Sequence, residues 1–81
     1  MPKVLEKNGY KFFFFSNEGD PLEPVHIHIR KDGNLSKFWL EPDVSLCKNY
    51  GFSAKELNWI FEQVEANSDK IKEKWNEYFH R

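Results

Sequence analysis

Residues 24–40 read Pro24-Val25-His26-Ile27-His28-Ile29-Arg30-Lys31-Asp32-Gly33-Asn34-Leu35-Ser36-Lys37-Phe38-Trp39-Leu40. Val25, Ile27 and Ile29 alternate with His26, His28 and Arg30, the two-residue period of a strand with one apolar face. Asp32-Gly33 follows, a pair that accepts the positive φ angles of a type I′ hairpin turn. A turn there pairs Lys31 with Asn34, His28 with Lys37 and His26 with Trp39, and on the other face Ile27 with Phe38 and Val25 with Leu40. Apolar residues then meet apolar residues, whereas a slip of one position would send each set to the wrong face. The stretch therefore predicts a hairpin with both imidazoles on the side away from the valine and isoleucines.

On the N-terminal side, Asn8-Gly9 is a second two-residue turn signal, joining a short strand at Val4-Leu5 to a stronger one over residues 10–15. Unbroken Phe12-Phe13-Phe14-Phe15 places rings on both faces of that strand, so it is expected to be central and covered on both sides. The stretch from Ser16 to Pro24 contains Gly, two prolines and acids, and reads as a loop long enough to form a flap. On the C-terminal side, Glu41-Pro42-Asp43 interrupts the hairpin, and residues 44–50 offer a further short strand or an irregular crossing. Ser53-Ala54-Lys55-Glu56 is a capping box, with Phe52 and Leu57 placed for a hydrophobic staple. Leu57, Ile60, Phe61 and Val64 form one helical stripe, and Ile71, Trp75, Tyr78 and Phe79 form another. Asn67-Ser68-Asp69 between them favours a break, since one unbroken helix would run about 40 Å.

These signals predict an α+β fold in one domain, residues 1–81. A small antiparallel meander of three to four strands (residues 1–50) is followed by two helices (residues 51–81) packed on one face. Two short helices cover one face only, so Phe rings on the other would form an apolar patch of the type that marks interaction sites, pointing to a homo-oligomer or a protein partner.

At 81 residues the chain buries roughly 60–65% of its unfolded surface, and large side chains must make up its core. Eight Phe, three Trp and three Tyr supply them, at about 150–250 Å² each. Cys47 is the lone cysteine; it excludes an internal disulfide and suits a reducing compartment, as a small buried residue. No stretch is long enough for a secretory core or a membrane span. The net charge of −1 gives no bulk attraction to nucleic acid or anionic membrane and leaves local basic patches open.

Asn8-Gly9-Tyr10 with its Phe run, Pro24-Val25-His26-Ile27-His28, Lys37-Phe38-Trp39-Leu40, Gly51-Phe52-Ser53 and Trp75-Asn76-Glu77-Tyr78-Phe79 occur in an order and spacing that resembles a family of small bacterial proteins, domain of unknown function 4160. The likeness spans nearly the whole chain. Val25 stands where members often have a second proline before the first His. The resemblance implies a prokaryotic cytoplasm. It also implies a neighbouring gene for another small protein, in a toxin–antitoxin-like or regulatory pair, and hence a protein partner. It assigns no catalytic residue.

The residues themselves offer one constellation with chemistry, His26, His28 and Arg30, with Lys37 across the hairpin. Side chains two strand positions apart lie about 6.5–7 Å from each other, so His26 and His28 could share a divalent metal, with Glu18, Asp20 or Glu23 as third ligand. The same imidazoles could instead pass a proton to and from a ribose and its leaving oxygen, with Arg30 and Lys37 stabilising charge on phosphorus, as in a metal-independent ribonuclease. A third reading is binding: Trp39, His26, His28 and Arg30 present a flat ring among basic neighbours, suited first to a protein partner and then to RNA. Beside these stands the plain reading, a half-buried sheet face with the imidazoles packed on Trp39. The leading expectation is an interaction module without a cofactor, and a ribonuclease-like or metal-binding protein is the alternative.

Overall fold

The computed structural model describes residues 2–16 and 23–79. Five strands, β1 (Lys3–Lys7), β2 (Tyr10–Phe13), β3 (His26–Lys31), β4 (Asn34–Trp39) and β5 (Ser45–Tyr50), precede α1 (Ala54–Ala66) and α2 (Ser68–Phe79). The strands form one antiparallel sheet in the order β1-β2-β3-β4-β5. The expected α+β class and the two helices hold. The expected three to four strands become five, because residues 45–50 pair with β4 along their length. Of the two readings offered for residues 44–50, a further short strand and an irregular crossing, the strand is the one that forms.

Both turns take their shape from the residue pairs at their tips. Asn8 and Gly9 have φ of 54° and 83°, and Asp32 and Gly33 have 51° and 84°. Two successive positive φ angles match the right-handed twist of the flanking strands. The β3–β4 register is the one read from residues 24–40: His26 opposite Trp39, Ile27 opposite Phe38, His28 opposite Lys37 and Lys31 opposite Asn34. Leu40 donates its N–H to the Val25 carbonyl at 2.9 Å, extending the same register.

Each outer strand carries one extra residue. Lys3 pairs with Phe13 but Leu5 with Phe12, leaving Val4 as a bulge in β1. Lys37 pairs with Lys48 but Phe38 with Leu46, leaving Cys47 as a bulge in β5. A bulge switches the face to which the following residues point. Lys3 and Leu5 thereby fall on opposite faces, as do Leu46 and Lys48.

Both helices pack on one face of the sheet. The core joins Phe12, Phe14, Val25, Ile27, Ile29, Phe38 and Leu40 of the sheet region to Phe52, to Ile60 and Val64 of α1, and to Ile71 and Trp75 of α2. Ser53 opens α1 through the expected capping box: Glu56 N–H donates to Ser53 Oγ at 3.1 Å and Ser53 N–H to Glu56 Oε1 at 3.0 Å. Asn67 closes α1, its backbone N–H and its side-chain Nδ2 both donating to the Gln63 carbonyl. The Asn67 carbonyl then accepts from Ile71 N–H in the first turn of α2. One asparagine thus makes two helices of one long apolar pattern. Among the described residues no helix is long and apolar enough to cross a membrane.

Candidate functional site

The face of the sheet away from the helices carries His26, His28, Arg30, Lys37 and Trp39. Directly opposed residues of an antiparallel sheet share a face, so the pairings define rows across it. One row runs Lys3, Phe13, His28, Lys37, Lys48 from β1 to β5. The next runs Glu6, Lys11, Arg30, Leu35, Tyr50. A third includes His26, Trp39 and Ser45.

His26 and His28 do point together, with ring centroids 5.2 Å apart and planes nearly perpendicular. They are not laid open, however: His26 is fully buried and His28 is 6% exposed. His26 sits between the Trp39 ring at 5.4 Å, His28, and Trp75 of α2 at 5.0 Å. The β2–β3 ladder has ended at Phe13–His28, and beyond that end a helix residue can reach a side chain of this row. Nδ1 of His26 lies 2.9 Å from the Pro24 carbonyl oxygen; a carbonyl only accepts, so Nδ1 donates. His28 packs against Phe13 at 5.7 Å and edge-on to Phe15 at 4.4 Å.

The same packing changes the expectation for the Phe run. Of the two alternatives for an exposed patch, Phe13 with Phe15 or Phe12 with Phe14, the first lies on this side, yet Phe13 is only 3% exposed. Phe15 meets it edge-on at 5.2 Å, His28 stacks beside it, and the Arg30 guanidinium lies 5.1 Å from its centroid. Cover on this side comes from the chain's own rings and one cation, so Phe13 supplies no argument for an oligomer.

The cations divide into held and unheld. Lys37 Nζ lies 3.2 Å from Glu23 Oε1 and 4.4 Å from the Trp39 ring centroid. Lys3 pairs with Glu6 at 2.8 Å, and this ion pair holds the Glu6 carboxyl below its ordinary range. Lys11 and Lys48 have no ion pair among the described residues. Two hollows lie between these side chains: about 290 Å³ lined by His28, Leu35, Ser36, Lys37, Lys48 and Tyr50, and about 240 Å³ lined by Lys3, Lys11, Phe13 and Arg30. Tyr50, which sequence reasoning left unremarked, stands 62% exposed at the rim.

Glu23, a candidate third metal ligand, is the partner of Lys37. Glu18 and Asp20 lie outside the described residues. Among the described residues no three His, Cys, Asp or Glu gather as a metal-holding group. Lys37 stands opposite His28 in the same row, as the hairpin register predicts, and Arg30 stands in the adjacent row; each already lies over a ring, Phe13 for Arg30 and Trp39 for Lys37.

Comparison with known proteins gives one family. No curated protein and no solved structure matches the chain. The profile of a family described as Domain of unknown function (DUF4160) matches residues 9–76 of the 81, which covers four of the five strands, α1 and most of α2, so the chain belongs to that family.

Proposed function

We propose that this protein acts by binding rather than by catalysis, as one component of a two-protein toxin–antitoxin-like or regulatory pair, and that a negatively charged partner covers the open face of its sheet. The observation that carries this reading is charge placement. In a chain of net charge −1, one sheet face gathers Lys3, Lys11, Arg30, Lys37 and Lys48 against Glu6 and Glu23. Such a concentration raises the local density of anionic partners and speeds their encounter. The burial of His26 and His28 among rings supports binding over proton transfer, because a general base must come within hydrogen-bond reach of the group it deprotonates. The gene-pair setting implied by the family resemblance supports a protein that works by association.

Immobilised heparin, a generic polyanion, tests the surface. The double variant Lys11→Glu, Lys48→Glu is expected to elute at clearly lower salt than the wild type. The matched helix variant Lys55→Glu, Lys70→Glu is expected to elute far closer to the wild type. Equal losses in both would mean that total charge alone governs retention, and the assignment of the face would be wrong. Incubation with labelled RNA tests the chemistry: intact RNA is expected, and cleavage that disappears in His26→Ala and His28→Ala variants would make the protein an enzyme after all.

A further inference from the structure

We infer that the partner accepted by the open face is a single-stranded nucleic acid, lying across the strands with one base stacked on Tyr50. This rests on the reading of that face as the docking surface and names the chemistry it takes.

Three features favour a nucleic acid over an acidic protein. The first is spacing. Lys3, Lys37 and Lys48 stand in one row on β1, β4 and β5, while Lys11 and Arg30 stand in the adjacent row on β2 and β3. Every strand therefore contributes one cation. With strands about 4.8 Å apart, the charges form a track that crosses the whole sheet, suited to a polymer with regularly repeated charge. The second is the ring. Among the described residues Tyr50 is the most exposed of the large apolar side chains, at 62%. It borders the hollow of about 290 Å³ that also contains Lys37 and Lys48. An open aromatic face beside cations can stack a base while the cations meet its phosphate, and sheets that bind single-stranded RNA use exposed rings in this way.

The third feature is the pair of bulges. Without Val4 as an extra residue, Lys3 would share the helix-covered face with Leu5. Without Cys47, Lys48 and Tyr50 would share that face with Leu46. Both irregularities thus deliver cations, and one the ring, to the open face. Bulges commonly re-aim side chains next to functional sites.

Fluorescence anisotropy with a short labelled oligouridylate, an unlabelled duplex competitor and labelled poly-glutamate tests the inference on the full chain, with circular dichroism as the check on folding. The expected result is binding to oligouridylate that the duplex competes for poorly. Tyr50→Ala should weaken it about tenfold. Lys11→Ala and Lys48→Ala should each weaken it and lower the slope of log affinity against log salt by about 0.7 per lost phosphate contact. Lys55→Ala and Lys70→Ala on α1 and α2 should leave it unchanged. If oligouridylate fails to bind at low salt while poly-glutamate binds through Lys11 and Lys48, the partner is an acidic protein: the inference falls and the docking face stands. Wild-type oligouridylate affinity in Tyr50→Ala also overturns the inference, because stacking is then absent. If face and helix lysine variants affect both probes equally, the inference and the docking face fall together.

Discussion

On the helix side of the sheet, neighbouring strands offer Phe12, Ile29, Ile27 and Phe38, all 1% exposed or less. On the other side, the same strands offer Lys11, Arg30, His28 and Lys37, with rings between them. The first side is closed by apolar contact with α1 and α2. The second is closed locally, by Phe15 and Arg30 over Phe13 and by Trp39, Trp75 and His28 around His26. One face is consumed by folding. The other is only partly covered, and its remaining surface is cationic. Stability and binding therefore ought to separate when the two faces are altered one at a time.

The largest effect should come from the residue that joins them. Trp75 of α2 is 1% exposed and touches Phe14, His26 and Phe79. Trp75→Ala leaves a large cavity in a small core and should cost about 3–5 kcal/mol, measured by urea denaturation. A cost near that of a surface change would show that the helix layer and the imidazole row are not mechanically joined.

An opposite sign is expected at Ser36. It interrupts the apolar face opposite Ile29, is 1% exposed, and its Oγ has no hydrogen-bond partner among the described residues. A buried hydroxyl without a partner costs about 1–3 kcal/mol, so Ser36→Ala should stabilise the protein, by about 1 kcal/mol at the low end of that range. A loss of stability on the same scale would mean that this hydroxyl is bonded in solution.

A smaller stability effect marks the open face. Tyr50→Ala and Lys48→Ala should change stability by no more than about 0.5 kcal/mol, while affecting binding as described above. Comparable losses in melting temperature and binding would erase the contrast between the faces.

The smallest effect is a matter of pH. Tyr10 Oη donates to Glu56 Oε2 at 2.7 Å and ties the first hairpin to the start of α1. Glu56 is held below its ordinary carboxyl range, first by the Ser53 backbone N–H and then by Tyr10, and Tyr10 is held above the ordinary phenol range by Glu56. The lowered carboxyl stabilises the fold above its unfolded pKa, and that contribution disappears as pH falls through the folded value. The raised phenol stabilises the fold below its unfolded pKa, and that contribution disappears as pH rises through the folded value. A shallow stability plateau should therefore fall off below pH 4.5 and above pH 10.0, the ordinary values of the two groups. Tyr10→Phe should remove the alkaline shoulder, and an unchanged shoulder in that variant would exclude this tie as its source.

Much of this arrangement could be read from local chemistry. The two hairpins rest on Asn8-Gly9 and Asp32-Gly33, the helix start on Ser53 and Glu56, and the helix break on Asn67; each is a short-range signal whose physical cause lies within a few residues. The register of β3 and β4 followed from the Asp32-Gly33 turn together with the alternation on either side of it. What local pattern could not supply was the position of extra residues in β1 and β5. Strict alternation in residues 46–50 would have put Leu46, Lys48 and Tyr50 together, and only the ladder to β4 reveals that Cys47 separates them. The burial of the imidazoles was equally hidden, because Trp75 reaches His26 from 49 positions along the chain. Tyr50 was passed over for the same reason: its exposure depends on which face the bulge assigns to it.

Those two bulges also bear on how the molecule meets its own kind. An outer strand with a regular row of unpaired N–H and C=O groups invites another strand to join it, and chains that do so repeatedly grow into fibres. Here β1 is interrupted at Val4 and flanked by lysines, and β5 is interrupted at Cys47. Neither margin of the five described strands presents a long, even template for the backbone of another chain.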